Sequence, residues 1–515
     1  MRSVPRPLAA LLLAVAVFGI CWALVIPAFD GPDEIQHYTY VETLAQRHKL
    51  PGAVNGAGPE RSVDQAHPTS STLAKIIAAR HRAGVANPVS TAVRDTLTAL
   101  NGDGMTVGLA QPEQTPLAFA RWRSVAGDES QHDGGGTFPG SNYPPGYYAF
   151  DAIGYSLAVG GNVVDHLYAA RLWSVLCLLL TTIGVWLLAG ELTGGQRSMQ
   201  LVAAAAVGLW PMVSFMSAMV NPDALLYASW TWTFWAMALV IRRGLTARRL
   251  TLLVLATAVA FLTKETSIAL VPSVAFVVAL GFWRLRGSER DVWRRPALVL
   301  VLLVGVPVGG WLALTLAEHR PLLAQADSVL SGGVTNVHQF LSYVWEYYLP
   351  RLPGQQLHDY YIPVVSGYPA YNIWVASGWG AFGWVTLYFP HGLYPWFLAI
   401  TVLFVVGALT RVGRAVVLRR GTGWGRSRAL PLTVAFGAAA FLLLAGLHLT
   451  EYKLQSPTNQ GRYLFPLAGL AGLVVALAMR WIPARLRPVG VGLLLGALVA
   501  FQLGSLGYVA AHYYA

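Results

Sequence analysis

The chain has 515 residues, 55% of them hydrophobic and only 12% charged. Soluble domains carry about 25% charged residues, so an ordinary water-soluble fold is excluded. The net charge is +12, but the arginines fall in short stretches between apolar segments, as the positive-inside rule requires of a membrane protein, and no nucleic-acid partner is implied.

Apolar stretches of roughly 20 residues recur along the sequence, each long enough to cross a ~30 Å hydrocarbon core as a helix. A β-barrel would show alternating strands of about 10 residues instead, so the expected fold class is an all-α polytopic membrane protein. The first stretch, 7–28, follows Arg2 and Arg6 and reads as an uncleaved span, because no small-residue cleavage site follows Ile26. Residues 30–142 form a polar loop with amphipathic stretches at 33–50 and 71–82, of the kind that lies in the interfacial plane. Linker-like sequence covers 52–68 and 102–114. Segment 143–160 opens Tyr143-Pro144-Pro145-Gly146-Tyr147-Tyr148 and contains Asp151.

Further apolar segments run 166–192, 199–219, 223–242, 249–263, 266–284 and 297–318. A second long loop, 319–390, is dense in tyrosine and tryptophan, either as an interfacial belt or as flat faces for sugar rings and isoprenoid chains. The last apolar segments are 391–410, 430–449, 464–480 and 489–511. Cys21 and Cys177, the only cysteines, lie inside apolar segments and offer neither a disulfide framework nor a cysteine-based metal site.

Parity orders these segments. With the N-terminus cytoplasmic and 143–160 not crossing, the arginine groups at 242–249, 284–295, 411–426 and 480–487 all face the cytoplasm; with 143–160 crossing, every one lies outside. The positive-inside rule selects the first arrangement, with about 11 spans and 143–160 as a re-entrant or surface helix. The expected organisation is one membrane-embedded domain: 1–29 a first span, 30–142 an extracytoplasmic loop, 143–318 bundle, 319–390 a second outer loop and 391–515 bundle. The expected location is the plasma membrane, with the unusual polar residues gathered on its outer face.

Asp30, Asp33, Glu34, His37 and Tyr38 sit just past the first span. A carboxylate at the rim of a bundle can take a proton from an incoming hydroxyl; Asp33 or Glu34 could also simply cap the helix that follows. Asp223, in Asn221-Pro222-Asp223 between two spans, is either a second functional carboxylate or an N-cap. Lys264 at another span junction could meet a lipid-linked phosphate or snorkel beside Glu265. Arg462, in Gln460-Gly461-Arg462-Tyr463, breaks the positive-inside pattern, and its fork of donors suits a phosphate. His448 and Glu451 on the same side could ligate a divalent cation or only be hydrogen-bonded. With no GxxxxGK[ST] sequence, a nucleotide-driven engine is not indicated.

These motifs together resemble the GT-C superfamily of polyprenyl-phosphate-sugar-dependent glycosyltransferases, which includes protein O-mannosyltransferases and the aminoarabinose transferase of lipid A. Within it they are most similar to a bacterial branch of predicted membrane proteins of unknown function. That branch shows Pro-Asp-Glu-Pro-x-His, matched by Pro32, Asp33, Glu34 and His37 with Ile35 in place of the second proline. It also shows Trp-Gly-x-Phe-Gly-Trp, matched by Trp379 to Trp384, and Gln-Gly-Arg-Tyr, matched by Gln460 to Tyr463.

The resemblance implies an inverting glycosyltransferase with a GT-C-like bundle, acting on the outer membrane face. Asp33 would be the general base, with Glu34 or Asp223 in support. Lys264 and Arg462 would bind the donor phosphate, and His37, Tyr38, Tyr143, Trp379 and Tyr463 would line the cavity. The donor would be a polyprenyl-phosphate-linked sugar, and the acceptor an envelope glycan, lipid or protein. Some members of the superfamily use a divalent metal such as Mg or Mn and others none, and the sequence is compatible with either. A flippase for a lipid-linked glycan and a non-catalytic envelope-assembly scaffold are the alternatives. The first would need polar residues near mid-span, of which the sequence has few.

Overall fold

The structure, a computed structural model, describes residues 4–52, 88–101, 130–285, 336–355, 368–417, 426–455 and 458–514, apart from 137 and 139, together with a few isolated positions. The amphipathic stretch expected at 71–82 and the apolar segment 297–318 lie outside or almost wholly outside the described residues.

Helix α1 (Arg6–Val25) carries Pro7 in its first turn, where a missing N–H is tolerated. It ends because Ile26 precedes Pro27 and is extended, with ψ 127°. Helices α2 (Glu34–Arg47), α3 (Thr91–Asn101) and α4 (Gly146–Tyr155) follow. They share a core of Tyr38, Tyr40, Val93, Leu97, Tyr147 and Tyr148. At 10 residues, or about 15 Å, α4 is too short to cross a bilayer and lies against α2 and the start of α5 (Val163–Leu192).

Helix α5 is opened by a reciprocal cap in which the Asn162 side chain accepts from Asp165 N and the Asp165 side chain accepts from Asn162 N. Next come α6 (Arg197–Gly208) and α7 (Pro211–Ser217), bent by 63° where Pro211 removes a helical donor and its ring crowds the preceding turn. Helix α8 (Asp223–Arg243) runs through the centre of the bundle, packed on α5 and on α9 (Ala247–Thr263). A 3-10 turn, Glu265–Leu270, leads into α10 (Val271–Arg284).

The second long loop contributes α11 (Val337–Tyr348), a π-helical turn Tyr371–Ala376 and a short hairpin, β1 (Ala381–Phe382) with β2 (Leu387–Tyr388), in register Ala381 to Tyr388. Helices α12 (Tyr394–Val417), α13 (Arg426–Leu454), α14 (Ala468–Met479) and α15 (Arg487–Tyr514) complete the described chain, with a 3-10 turn Gly461–Leu467 entering α14. That turn packs against α8.

Among the described residues 8 helices are long and apolar enough to cross a membrane, or 9 if α6 and α7 form one broken span. The apolar segment 249–263 becomes α9, whose 17 residues reach only about 26 Å. Segment 199–219, expected as one span, is the bent pair. Asp223 and Arg243 mark opposite ends of α8, about 30 Å apart, so chemistry at the Asp223 end belongs to one face of the bundle.

Candidate active site

Beyond α1 the chain turns twice in quick succession: Asp30 N donates to Pro27 O at 3.2 Å and Glu34 N to Gly31 O at 3.1 Å. Phe29 and Asp33 both take left-handed backbone, with φ 64° and 58°. Each such residue costs of order 1–3 kcal/mol and persists only where its surroundings enforce it.

The enforcement comes from Arg171 on α5, which is wholly buried. Its Nε donates to Glu34 Oε1 at 2.7 Å and its Nη2 to Glu34 Oε2 at 2.5 Å. It also donates to Ala23 O, Ile26 O and Pro27 O at 3.1, 2.6 and 2.8 Å. One guanidinium thus satisfies carbonyls that the end of α1 leaves without helical partners. Glu34 accepts further bonds from Val220 N at 3.1 Å and Gly31 N at 3.2 Å. A buried pair with its remaining lone pairs filled is held in place.

Asn221 ties this turn to α8. Its Nδ2 donates to Pro32 O at 2.9 Å, and its Oδ1 accepts from Asp223 N at 3.0 Å. The Asn221 backbone N–H donates to the Tyr147 hydroxyl at 2.8 Å. Three chain segments, from the first loop, α4 and the start of α8, are therefore locked together.

With Glu34 turned inward, Asp33 points the other way. Its Oδ2 accepts from Arg462 Nη2 at 2.7 Å, and the Asp33 side chain stays 37% exposed while that of Arg462 is 4% exposed. Beside them Lys264 Nζ donates to Asp223 Oδ1 at 2.7 Å. The Tyr463 ring lies under both cations, 5.1 Å from Lys264 Nζ and 5.2 Å from the Arg462 guanidinium carbon. Such contacts favour the charged forms. Among the described residues Arg462 Nε and Nη1 and Asp223 Oδ2 are buried without a hydrogen-bond partner.

Charge in this group is set by its members. Burial opposes ionisation of Asp33, but Arg462 leads a set of opposing pulls that holds its carboxyl below the usual range. Burial also works against the Lys264 charge, but Asp223 leads a set of opposing pulls that raises Lys264 above its ordinary value, so it stays protonated. His37 goes the other way: burial lowers it to about 4 against the pull of Asp33. The neutral imidazole Nδ1 meets the Tyr148 hydroxyl at 3.0 Å, and the ring lies 5.9 Å from that of Tyr143.

Of the residues singled out in the sequence, Asp33, Asp223, Lys264, Arg462 and Tyr463 stand together, with His37 and Tyr143 alongside. Three others are placed elsewhere. Glu34 is buried against Arg171. Tyr38 donates to Val163 O at 3.1 Å beneath Phe29, and supports the turn from behind. Trp379 stacks on Phe397 at 4.8 Å and donates to Thr401 Oγ1 at 3.2 Å.

His448 has both ring nitrogens against tyrosine hydroxyls, Tyr348 at 2.8 Å and Tyr343 at 3.4 Å. Among the described residues no group of three or more His, Cys, Asp or Glu side chains is arranged to hold a metal. Sequence reasoning passed over Arg171 and Asn221. The first had a readable signal: an arginine inside an otherwise apolar span is as costly as the Asp223 that drew notice.

Residues 16–471 match the family described as predicted membrane protein (DUF2142). No curated protein matches the chain. Among solved structures, it is similar to the oligosaccharyltransferase of Archaeoglobus fulgidus in its apo form, at 13% identity over 99% of this chain and 56% of that one, with a TM-score of 0.45. The archaeal oligosaccharyltransferase AglB from Archaeoglobus fulgidus, in complex with an inhibitory peptide and a dolichol-phosphate, gives 12% identity over 99% of this chain and 56% of that one, with a TM-score of 0.45. ArnT of Cupriavidus metallidurans bound to undecaprenyl phosphate gives 15% identity over 98% of this chain and 74% of that one, with a TM-score of 0.42. The chain spans little more than half the length of the oligosaccharyltransferases.

Proposed function

The chain belongs to that family, DUF2142, and we propose that it is an inverting glycosyltransferase that moves a sugar from a polyprenyl-phosphate donor to a hydroxyl acceptor. The observation that carries this reading is Arg462. Among the described residues two of its buried nitrogens lack partners, while the third holds the partly exposed Asp33 carboxylate. Unpaired buried donors cost free energy unless something fills them, and phosphate oxygens are strong acceptors for such charged donors. An anion subsite and a carboxylate base thus share one arginine.

Chemistry follows from that adjacency. Asp33 takes the proton of the acceptor hydroxyl as the acceptor oxygen bonds to the anomeric carbon. The bond from that carbon to the phosphate oxygen breaks, its electron pair leaves with the polyprenyl phosphate, and the anomeric centre inverts. Negative charge grows on the phosphate, where Arg462 and Lys264 stabilise it most in the transition state. A phosphate also competes with Asp33 for Arg462. With a phosphate on its other nitrogens, Arg462 offsets less of the Asp33 charge, and the carboxylate becomes the better base. Asp223 keeps Lys264 in place, Glu34 and Arg171 fix the turn, and Tyr143, His37 and Tyr463 supply walls.

The site is proposed to open on the extracytoplasmic face of the plasma membrane. Support comes from the arginines at the opposite ends of the spans. Arg242 and Arg243 close α8, Arg284 donates to Ile241 O at 2.7 Å, and Arg411 donates to Arg480 O at 2.6 Å. An envelope glycan, lipid or protein is the proposed acceptor. Replacing Asp33 with Asn is expected to cut transfer by about 10²–10⁴-fold, the scale of general-base catalysis, while the protein is still made and inserted in the membrane. Undiminished transfer by Asp33→Asn in reconstituted membranes would refute the assignment of the base.

A further inference from the structure

At the end of the bundle opposite Asp33, the ends of α5 and α8 and the start of α13 line an open cavity of about 430 Å³. Arg242, Arg243 and Arg428 line it around Glu191 and the turn Gly194–Gly195. We propose that this cavity binds the phosphate headgroup of an anionic membrane lipid in the leaflet away from the active site. The proposal stands independently of the transferase reading.

Charge is the first consideration. Both oxygens of Glu191 are taken: Oε1 accepts from Arg242 Nη1 and Arg243 Nε at 3.0 Å each, and Oε2 accepts from Arg243 Nη2. With its side chain 4% exposed, Glu191 acts as a clamp that aims two guanidiniums and does not repel an anion from the cavity. Part of the arginine charge offsets the carbonyl ends of α5 and α8. Arg428 is surplus. It lines the same cavity from α13, and among the described residues no hydrogen bond or ion pair engages its side chain. Arg242 Nε is buried and likewise lacks a hydrogen-bond partner.

The glycine turn leaves the mouth of the cavity open. Gly194 and Gly195 have φ 71° and 75°, and a Cβ on either would meet nothing within 4 Å. Depth selects the source of the phosphate. Arg242 and Arg243 end a 21-residue apolar helix, so the cavity sits where lipid headgroups lie, and basic pockets between span ends bind such headgroups. A diffuse basic surface would leave all its arginines free, whereas here a buried carboxylate fixes the geometry of two of them.

The test uses the full chain in phosphatidylcholine nanodiscs with and without phosphatidylglycerol. Retained lipid is counted by native mass spectrometry and the unfolding midpoint is measured. Phosphatidylglycerol is expected to be retained and to raise the midpoint. Arg428→Gln, at an exposed position, should lower retention by about tenfold or more, the scale of one lost charge-assisted bond, with the midpoint in phosphatidylcholine unchanged. Arg248→Gln, a basic position at the same end but outside the cavity, should leave retention as it was. Equal losses in the two variants would mean only diffuse surface attraction and would overturn the proposal. So would inorganic phosphate in phosphatidylcholine discs raising the midpoint as far as the lipid does.

Discussion

Asp33 and Arg462 are in tension. The arginine that holds the carboxylate also weakens it as a base, since an ion-paired carboxyl is ionised but reluctant to take a proton. The pH dependence follows in sign. A carboxyl held below its usual range is ionised throughout the neutral region, so the acidic limb of kcat/KM should lie below the ordinary aspartate value of about 3.9. Arg462→Gln removes the leading opposing pull on Asp33, and its residual activity should show that limb moved to higher pH; an unmoved limb would mean that Asp33 is not the titrating group. Glu34→Gln makes a separate case. It leaves the Arg171 charge buried without its partner, which costs about 3–5 kcal/mol, and the unfolding midpoint in detergent should drop accordingly. A paired change of Glu34 and Arg171 to Met should cost less, because no uncompensated charge remains. Composition and spacing made Asp33, Asp223, Lys264 and Arg462 conspicuous, since each stands at a span end where a charge needs a reason. They could not tell Asp33 from Glu34. Adjacent residues with the same chemistry point to opposite sides of a left-handed turn, and the partner that sorts them, Arg171, is 137 positions away.

The elements around the site carry a second pH signature. Glu42 on α2 is buried and accepts from Ser90 Oγ at 3.1 Å, and burial raises its carboxyl to about 8. Asp151 on α4 is raised to about 8 by the same cause. Acids whose folded values exceed the unfolded ones stabilise the fold below about 4, and that stability is lost as pH rises through the folded values. The unfolding midpoint should therefore fall between pH 5 and pH 9, and Glu42→Gln should flatten that fall; an unchanged slope in the variant would contradict the assignment. Helix α4 shows what the sequence could and could not convey at this scale. Tyr143-Pro144-Pro145-Gly146 is a legible helix entry and the small residues after it a legible stop. The break between α6 and α7 was less so, because the apolar run 199–219 is continuous and only Pro211 marks where the axis turns.

For the molecule as a whole, hydropathy and arginine placement were enough to read an all-α membrane bundle, because the bilayer permits few alternatives. Convergence was not readable, because it depends on how spans neighbour one another. The turn before α14 reaches Asp33 across 429 positions, and nothing local records that. The proposal is that this convergence makes a transferase with Asp33 as its base. The most direct measurement compares lipid-linked sugar pools in membranes with and without the protein. One polyprenyl-phosphate sugar should accumulate in its absence, return to its normal level with the wild-type chain, and stay high with Asp33→Asn expressed to the same amount. If Asp33→Asn clears the pool as well as the wild type, Asp33 is not the base; if no such sugar accumulates, the protein does not consume a polyprenyl-phosphate sugar.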